Sequence, residues 1–209
     1  MIMAHALSAR PTISDRNLTV AVVLVWFLLV VAGSLLGVFD SEPRPPLPLG
    51  LAAVVPLALF GAGYLTSVRF QEVVWSLDLR LLALAQTWRV GGIVFLVLHQ
   101  QEALPGVFAI PAGWGDMAIG ITAPIVAWYW RRPFPTKTFI AWNVLGSLDL
   151  VLAVSLGVLA SRTPLGILAG DVSTRLMGQF PLSLIPTFFV PLLLILHLIS
   201  LNRVRKGLV

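Results

Sequence analysis

Arg89 and Asp149 are the two residues of this chain whose type and position most clearly imply chemistry. Each is an ionised group deep inside a long apolar run. A charge in hydrocarbon is costly, so such a group faces a protein interior and pairs with another. Arg89 lies about nine residues past Arg80, or ~13 Å at ~1.5 Å per residue, and Asp149 about twelve past Lys137, or ~18 Å. An extended arginine spans that offset, so the spacing predicts a buried Arg89–Asp149 ion pair, with Gln86 one turn below as a further hydrogen-bonding group. Asp78, Gln86, Arg89 and Gln100 fall within roughly 80° of one another at ~100° per residue, which gives one helix face polar groups at both ends and in the middle. Two roles stand for the pair. It anchors a ligand, or it locks helix register without chemistry.

Two further polar layers flank it. Asp116 follows Pro111-Ala-Gly-Trp-Gly, which reads as the opening of an apolar run, while His99, Gln100 and Gln101 close the preceding one. His99 or Gln100 is therefore expected to reach Asp116 in an outer vestibule, while the Arg89 site has Gln86 and Gln100 as its wall and Trp88 and Trp114 as lids. Alternatively, Asp116 only meets the unpaired N–H groups of a first helical turn. Asn143 and His197, each about six residues (~9 Å) from a boundary cation, are expected to touch across two helices. Asn143 lies ~120° around its helix from Asp149, which separates this contact from the central pair.

Much chemistry is excluded. Without cysteine there is no disulfide or thiolate site. His5, His99 and His197 have no zinc-ligand spacing, and His99 and His197 are too far apart in depth (~19 Å) to share a haem. No phosphate loop, nucleophile elbow or lysine within an apolar run is present. No catalytic residue, metal or cofactor is expected.

The elements that hold these groups follow from composition. Of 209 residues, 58% are apolar and 11% charged, against about 45–50% and about 25% in soluble domains. The reading is an all-α polytopic membrane protein, a six-transmembrane-helix bundle with runs at about 18–38, 49–67, 80–101, 113–130, 138–160 and 182–202, each near the ~20 residues a bilayer requires. That leaves an N-terminal tail (1–17), a transmembrane domain (18–203) and a C-terminal tail (204–209). Arg10, Arg16, Arg69, Arg80, Arg131, Arg132, Lys137, Arg203, Arg205 and Lys206 then share one side, and Arg44, Arg162 and Arg175 the other. The positive-inside rule makes the first side cytoplasmic, with both termini on it. The net charge of +5 reflects these loops, not nucleic-acid binding. Residues 39–48 form a stiff, proline-rich connector. Leu165, Leu168, Val172 and Leu176 suggest an interfacial helix within 161–181, capped by Asp171 and ending near Gly178. Trp128, Tyr129 and Trp130 beside Arg131 form an interface belt. Gly113, Asp116, Gly120, Ala123 and Ala127 make a small-residue face, and Gly91-Gly92 a second close-packing site.

The strings QTWRVGG, LPGVFAIPAGWGD, AWNVLGSLDL and PLSLIPTFFVPLLLILH resemble small bacterial multi-pass membrane proteins without an assigned activity, over roughly residues 70–203. The resemblance implies a bacterial cytoplasmic (inner) membrane and no catalytic residue. The expected function is binding or transport of a small, anionic or hydrogen-bonding ligand by Arg89, Asp149, Gln86, Gln100, His99, Asp116, Trp88 and Trp114. The alternative is a non-catalytic accessory or assembly subunit. The expected partners are the lipid bilayer, a small-molecule ligand, and a membrane-protein partner or second copy of the chain.

Overall fold

A computed structural model describes residues 12–129 and 136–207. Arg10, Trp130, Arg131, Arg132, most of the N-terminal tail and residues 208–209 lie outside them. The described residues form seven helices and no strand: α1 (Ile13–Leu35), α2 (Leu47–Thr66), α3 (Val68–Ser76), α4 (Leu79–Gln100), α5 (Gly106–Trp128), α6 (Thr136–Leu159) and α7 (Ile185–Arg205). All but α3 are long and apolar enough to cross a membrane.

Local chemistry sets the ends. Thr12 caps α1 in a reciprocal box with Asp15, so this helix starts before residue 18. The end of α4 is a tight reversal in which Glu102 takes a left-handed φ of 57°. The Ala103 N–H then bonds the Leu98 carbonyl at 2.9 Å and the Glu102 N–H that of His99 at 3.0 Å. The chain re-enters at once with Pro105 as N-cap. α5 therefore begins at Gly106, a full two turns before the expected position, and Pro111 lies inside it. The expected interfacial helix is absent. Residues 160–174 run as turns, followed by a single 3₁₀ turn, Arg175–Gly178. Pro164, Gly166 and Gly170 interrupt the apolar spacing, and hydrogen bonds to other segments hold the backbone instead.

Contacts at each end fix the topology. Asp15 at the start of α1 pairs with Arg69 of α3 at 2.8 Å, and Arg203 near the end of α7 donates to the Leu77 carbonyl. The start of α1, the α2–α4 connection and the end of α7 thus share one end, termed proximal here. At the distal end the α1–α2 connection is clasped to the α6–α7 connection. Asp40 accepts from Arg175 at 3.0 Å and from Gln179 at 3.0 Å. Glu42 accepts from the Arg162 backbone N–H at 2.7 Å and the Ser173 hydroxyl at 3.0 Å. The Arg175 hydrogen bond holds the Asp40 carboxyl below the usual carboxylate range, against a smaller opposing effect of burial.

α4 to α7 form the packed centre. Buried residues make up 28–44% of the most apolar windows of these helices, against 11% and 6% in α1 and α2. The expected small-residue face of α5 meets α4. A Cβ on Gly120 would lie 2.5 Å from the Val90 backbone nitrogen, and one on Gly92 2.5 Å from the Asp116 Cβ. Ala123 is fully buried on the same face. Two helices depart from α geometry beside this centre. Gln86–Gly92 of α4 is a seven-residue 3₁₀ segment, longer than the usual 3–4 residues of such runs. Ile185–Phe189 opens α7 as a π turn in which Val190 N–H reaches back to Ile185. Pro186 and Pro191 lack the N–H that regular α spacing would use there.

Candidate functional site

Four helices converge at mid-bundle on the Arg89 side chain. Arg89 is carried by the 3₁₀ segment of α4 and is 3% exposed. Its Nε donates to Asp116 Oδ1 of α5 at 2.7 Å. Nη2 donates to Asp149 Oδ2 of α6. Nη1 donates to the Gly146 carbonyl of α6 at 3.1 Å and lies 3.3 Å from His197 Nε2 of α7. His197 Nδ1 in turn lies 2.9 Å from Asn143 Oδ1, whose Nδ2 donates to the Phe139 carbonyl at 2.9 Å. One tautomer satisfies every contact: imidazole Nδ1–H donates to Asn143, and Nε2 accepts from Arg89.

The structure therefore joins three expected layers into one network. The Arg89–Asp149 pair is present. Asp116 belongs to it as a second carboxylate, and not to a vestibule with His99 or Gln100. Because α5 starts at Gly106, Asp116 lies about ten residues, or ~15 Å, inside the helix. It is not in a first turn, so its partner is the guanidinium and not free helical N–H groups. Asn143 and His197 touch as expected, and they reach the centre through Arg89 despite the angular offset of Asn143 from Asp149. Gly146, one turn from both, lets α6 and α7 close: a Cβ there would lie 2.5 Å from His197 Nε2. No motif in the sequence marks this carbonyl as a ligand of Arg89.

The other expected site residues are elsewhere. His99 Nδ1 lies 3.1 Å from the Leu104 carbonyl and braces the α4–α5 reversal. Gln100 is exposed. Trp88 and Trp114 are 63% and 60% exposed on the outer surface of the bundle. Trp88 stacks on Phe189 at 5.0 Å, so neither ring covers the network. Gln86 is buried one turn below Arg89, where its Nε2 donates to the Leu193 carbonyl at 3.2 Å. Its Oε1 has no hydrogen-bond donor among the described residues.

A narrow cavity of about 80 Å³ reaches this network from the distal end. Asp40, Glu42, Thr163 and Arg175 stand at its mouth, so the clasp between the connections is also its rim. Below them the walls are apolar, with Phe95, Phe108, Leu150, Val154 and Ile185 prominent, and Asp116 lines it as the deep polar group. Asp116 Oδ1 is held by Arg89, whereas Oδ2 accepts no hydrogen bond from the described residues. The sequence reading missed this cavity because its walls come from five separate segments. Among the described residues no group of three or more His, Asp or Glu is placed to hold a metal.

Two carboxylates face one guanidinium, so with all three ionised the cluster is formally anionic. Arg89 has five N–H groups, four of which already meet an acceptor. The arrangement offers an acceptor to the cavity, and it offers almost no free donor. No curated protein and no solved structure matches the chain. A family model does match, and its segment contains every residue of the network: over residues 46–205 the chain belongs to the family described as Domain of unknown function (DUF8737).

Proposed function

We propose that the chain is an integral protein of the bacterial inner membrane that binds or transports a small ligand with an apolar body and a cationic or hydrogen-bond-donating head. The observation that carries this reading is Asp116 at the floor of an apolar cavity, with its second oxygen unclaimed. An anion anchored on Arg89 would need several free guanidinium donors, and four of the five are already taken. A charged or donor head meets Asp116 with a charge-assisted hydrogen bond, while the volume restricts the ligand to a few heavy atoms below the rim.

n-Butylammonium tests the assignment, with butyrate and 1-butanol as matched probes, each titrated into the detergent-solubilised full chain. Butylammonium is expected to bind in the millimolar range and butyrate not at all. Asp116→Asn keeps an acceptor for Arg89 Nε but removes the charge, and should weaken butylammonium binding at least tenfold, the worth of about 1.5–3 kcal/mol for a hydrogen bond to a charged group. Equal binding of butyrate, or binding unaffected by Asp116→Asn, would reject the site.

The second reading, an accessory subunit whose polar groups only hold helices together, draws support from the enclosure of Arg89 itself and from the exposed surfaces of α1 and α2. In that case none of the three probes binds, and the chain co-purifies with a stable membrane partner.

Orientation in the membrane is a separate expectation resting on the distribution of arginine and lysine. A reporter fused after Val209 should be cytoplasmic, and one inserted at residues 43–46 external. An external C-terminus would overturn the six-span arrangement.

A further inference from the structure

At the proximal end, far from the Arg89 network, α2, α3 and α7 enclose an open cleft of about 660 Å³. Its inner wall is apolar, built from Phe60, Val74, Leu198 and Ile199, and its outer end carries Tyr64, Asn202, Arg205 and Lys206. We infer that this cleft binds an anionic phospholipid, with the phosphodiester headgroup on Arg205, Lys206 and Tyr64 and the start of an acyl chain against the apolar wall.

Three observations converge on this ligand class. First, neither cation is neutralised, and Lys206 is also held in position. Lys206 Nζ sits 4.5 Å from the Trp75 ring centroid and 5.6 Å from that of Tyr64. Aromatic faces hold an ammonium in place without neutralising it, so the N–H donors turned away from the rings remain for an oxyanion. Among the described residues no carboxylate pairs with Arg205 or Lys206. Second, the Tyr64 hydroxyl accepts from Trp75 Nε1 at 3.1 Å, so its own O–H remains to donate. Third, the cleft lies where a transmembrane helix ends, so one side of it is apolar and the other polar, as a lipid is. Basic pockets between helices at this level suit anionic headgroups, and each cation contributes on the scale of a surface lysine near an anionic leaflet. A free phosphate would use the cations and Tyr64 but leave the apolar wall unfilled.

Native mass spectrometry of the detergent-solubilised full chain distinguishes these sources. Palmitoyl-oleoyl phosphatidylglycerol should be retained as a single adduct, while phosphatidylcholine of the same chains and inorganic phosphate should not. Arg205→Gln with Lys206→Gln should weaken retention of the anionic lipid by about thirtyfold. The exchange Arg205→Lys with Lys206→Arg keeps both charges and should retain it, which separates loss of the site from loss of the fold. Equal retention of phosphatidylcholine overturns the inference, as does undiminished retention of the anionic lipid by the double glutamine variant. Inorganic phosphate bound as tightly as the lipid would also overturn it, in favour of a free-oxyanion site.

Discussion

Replacing Arg89 by alanine should cost about 3–5 kcal/mol of unfolding free energy, the range for removing one partner of a buried ion pair. The loss should exceed that of any other single substitution in the network. Arg89 is the only member bonded to α5, α6 and α7 at once. Without it, Asp116 and Asp149 face each other across a site with no cation, and the Gly146 carbonyl and His197 Nε2 lose their donor. Asp149→Asn should cost much less, since the amide oxygen it introduces still accepts from Nη2 and Asp116 still balances the guanidinium. The fork also changes what repairs the damage. A simple Arg89–Asp149 pair predicts that Arg89→Ala with Asp149→Ala recovers most of the stability. With two carboxylates, that double variant still strands Asp116, and substantial recovery should require Asp116→Asn as well. Unfolding midpoints in detergent across this series decide the point. If the Arg89→Ala, Asp149→Ala double variant already matches the triple, Asp116 is not a working part of the fork.

How much of this was legible in the sequence depends on which physical effect set each feature. Arg89 and Asp149 could be paired because hydrocarbon forces charges together, and a rise of ~1.5 Å per residue places both near mid-bundle. The contact between Asn143 and His197 followed from depth in the same way. Asp116 was misplaced by a boundary error of seven residues. Pro111 and Gly113 look like a helix opening, but Pro105 is the N-cap, and the reversal through Glu102 leaves no room for a longer loop. The segment 161–181 has apolar residues at helical spacing. Its backbone is nonetheless claimed by other hydrogen bonds, such as Leu168 N–H to the Leu159 carbonyl at 2.8 Å, Thr174 N–H to the Ala160 carbonyl at 3.3 Å and Arg162 N–H to Glu42. The 3₁₀ segment bearing Arg89 and the π turn at Ile185–Phe189 have a different origin. Prolines announce only the second; the first arises where α4 and α5 backbones meet, which no period in a single sequence records.

That meeting of backbones makes the glycines on it the next most sensitive positions. A Cβ on Gly120 would stand 2.5 Å from Val90 N and 2.9 Å from the Arg89 carbonyl carbon. These are main-chain atoms, so no side chain can swing aside, and α4 must move away from α5 instead. The movement starts at the residue whose Nε is fixed to Asp116, so packing and the ion-pair fork are disturbed together. Gly120→Ala should therefore cost about 1–3 kcal/mol by overpacking, and Gly120→Leu should prevent recovery of folded protein. Gly92→Ala, which meets the Asp116 Cβ, belongs with them. Gly91 supplies the control one residue away: a Cβ there meets nothing within 4 Å. Gly91→Ala should be neutral, or stabilising by about 0.4–1 kcal/mol through the unfolded chain. Thermal unfolding of the three alanine variants reads this directly. Equal behaviour of Gly91→Ala and Gly120→Ala would mean that α4 and α5 do not approach through these glycines, and that the placement of Arg89 against Asp116 has another cause. A large loss at Gly120 with none at Gly91 ties the position of the guanidinium to the one face of α5 that is small enough to admit the α4 backbone.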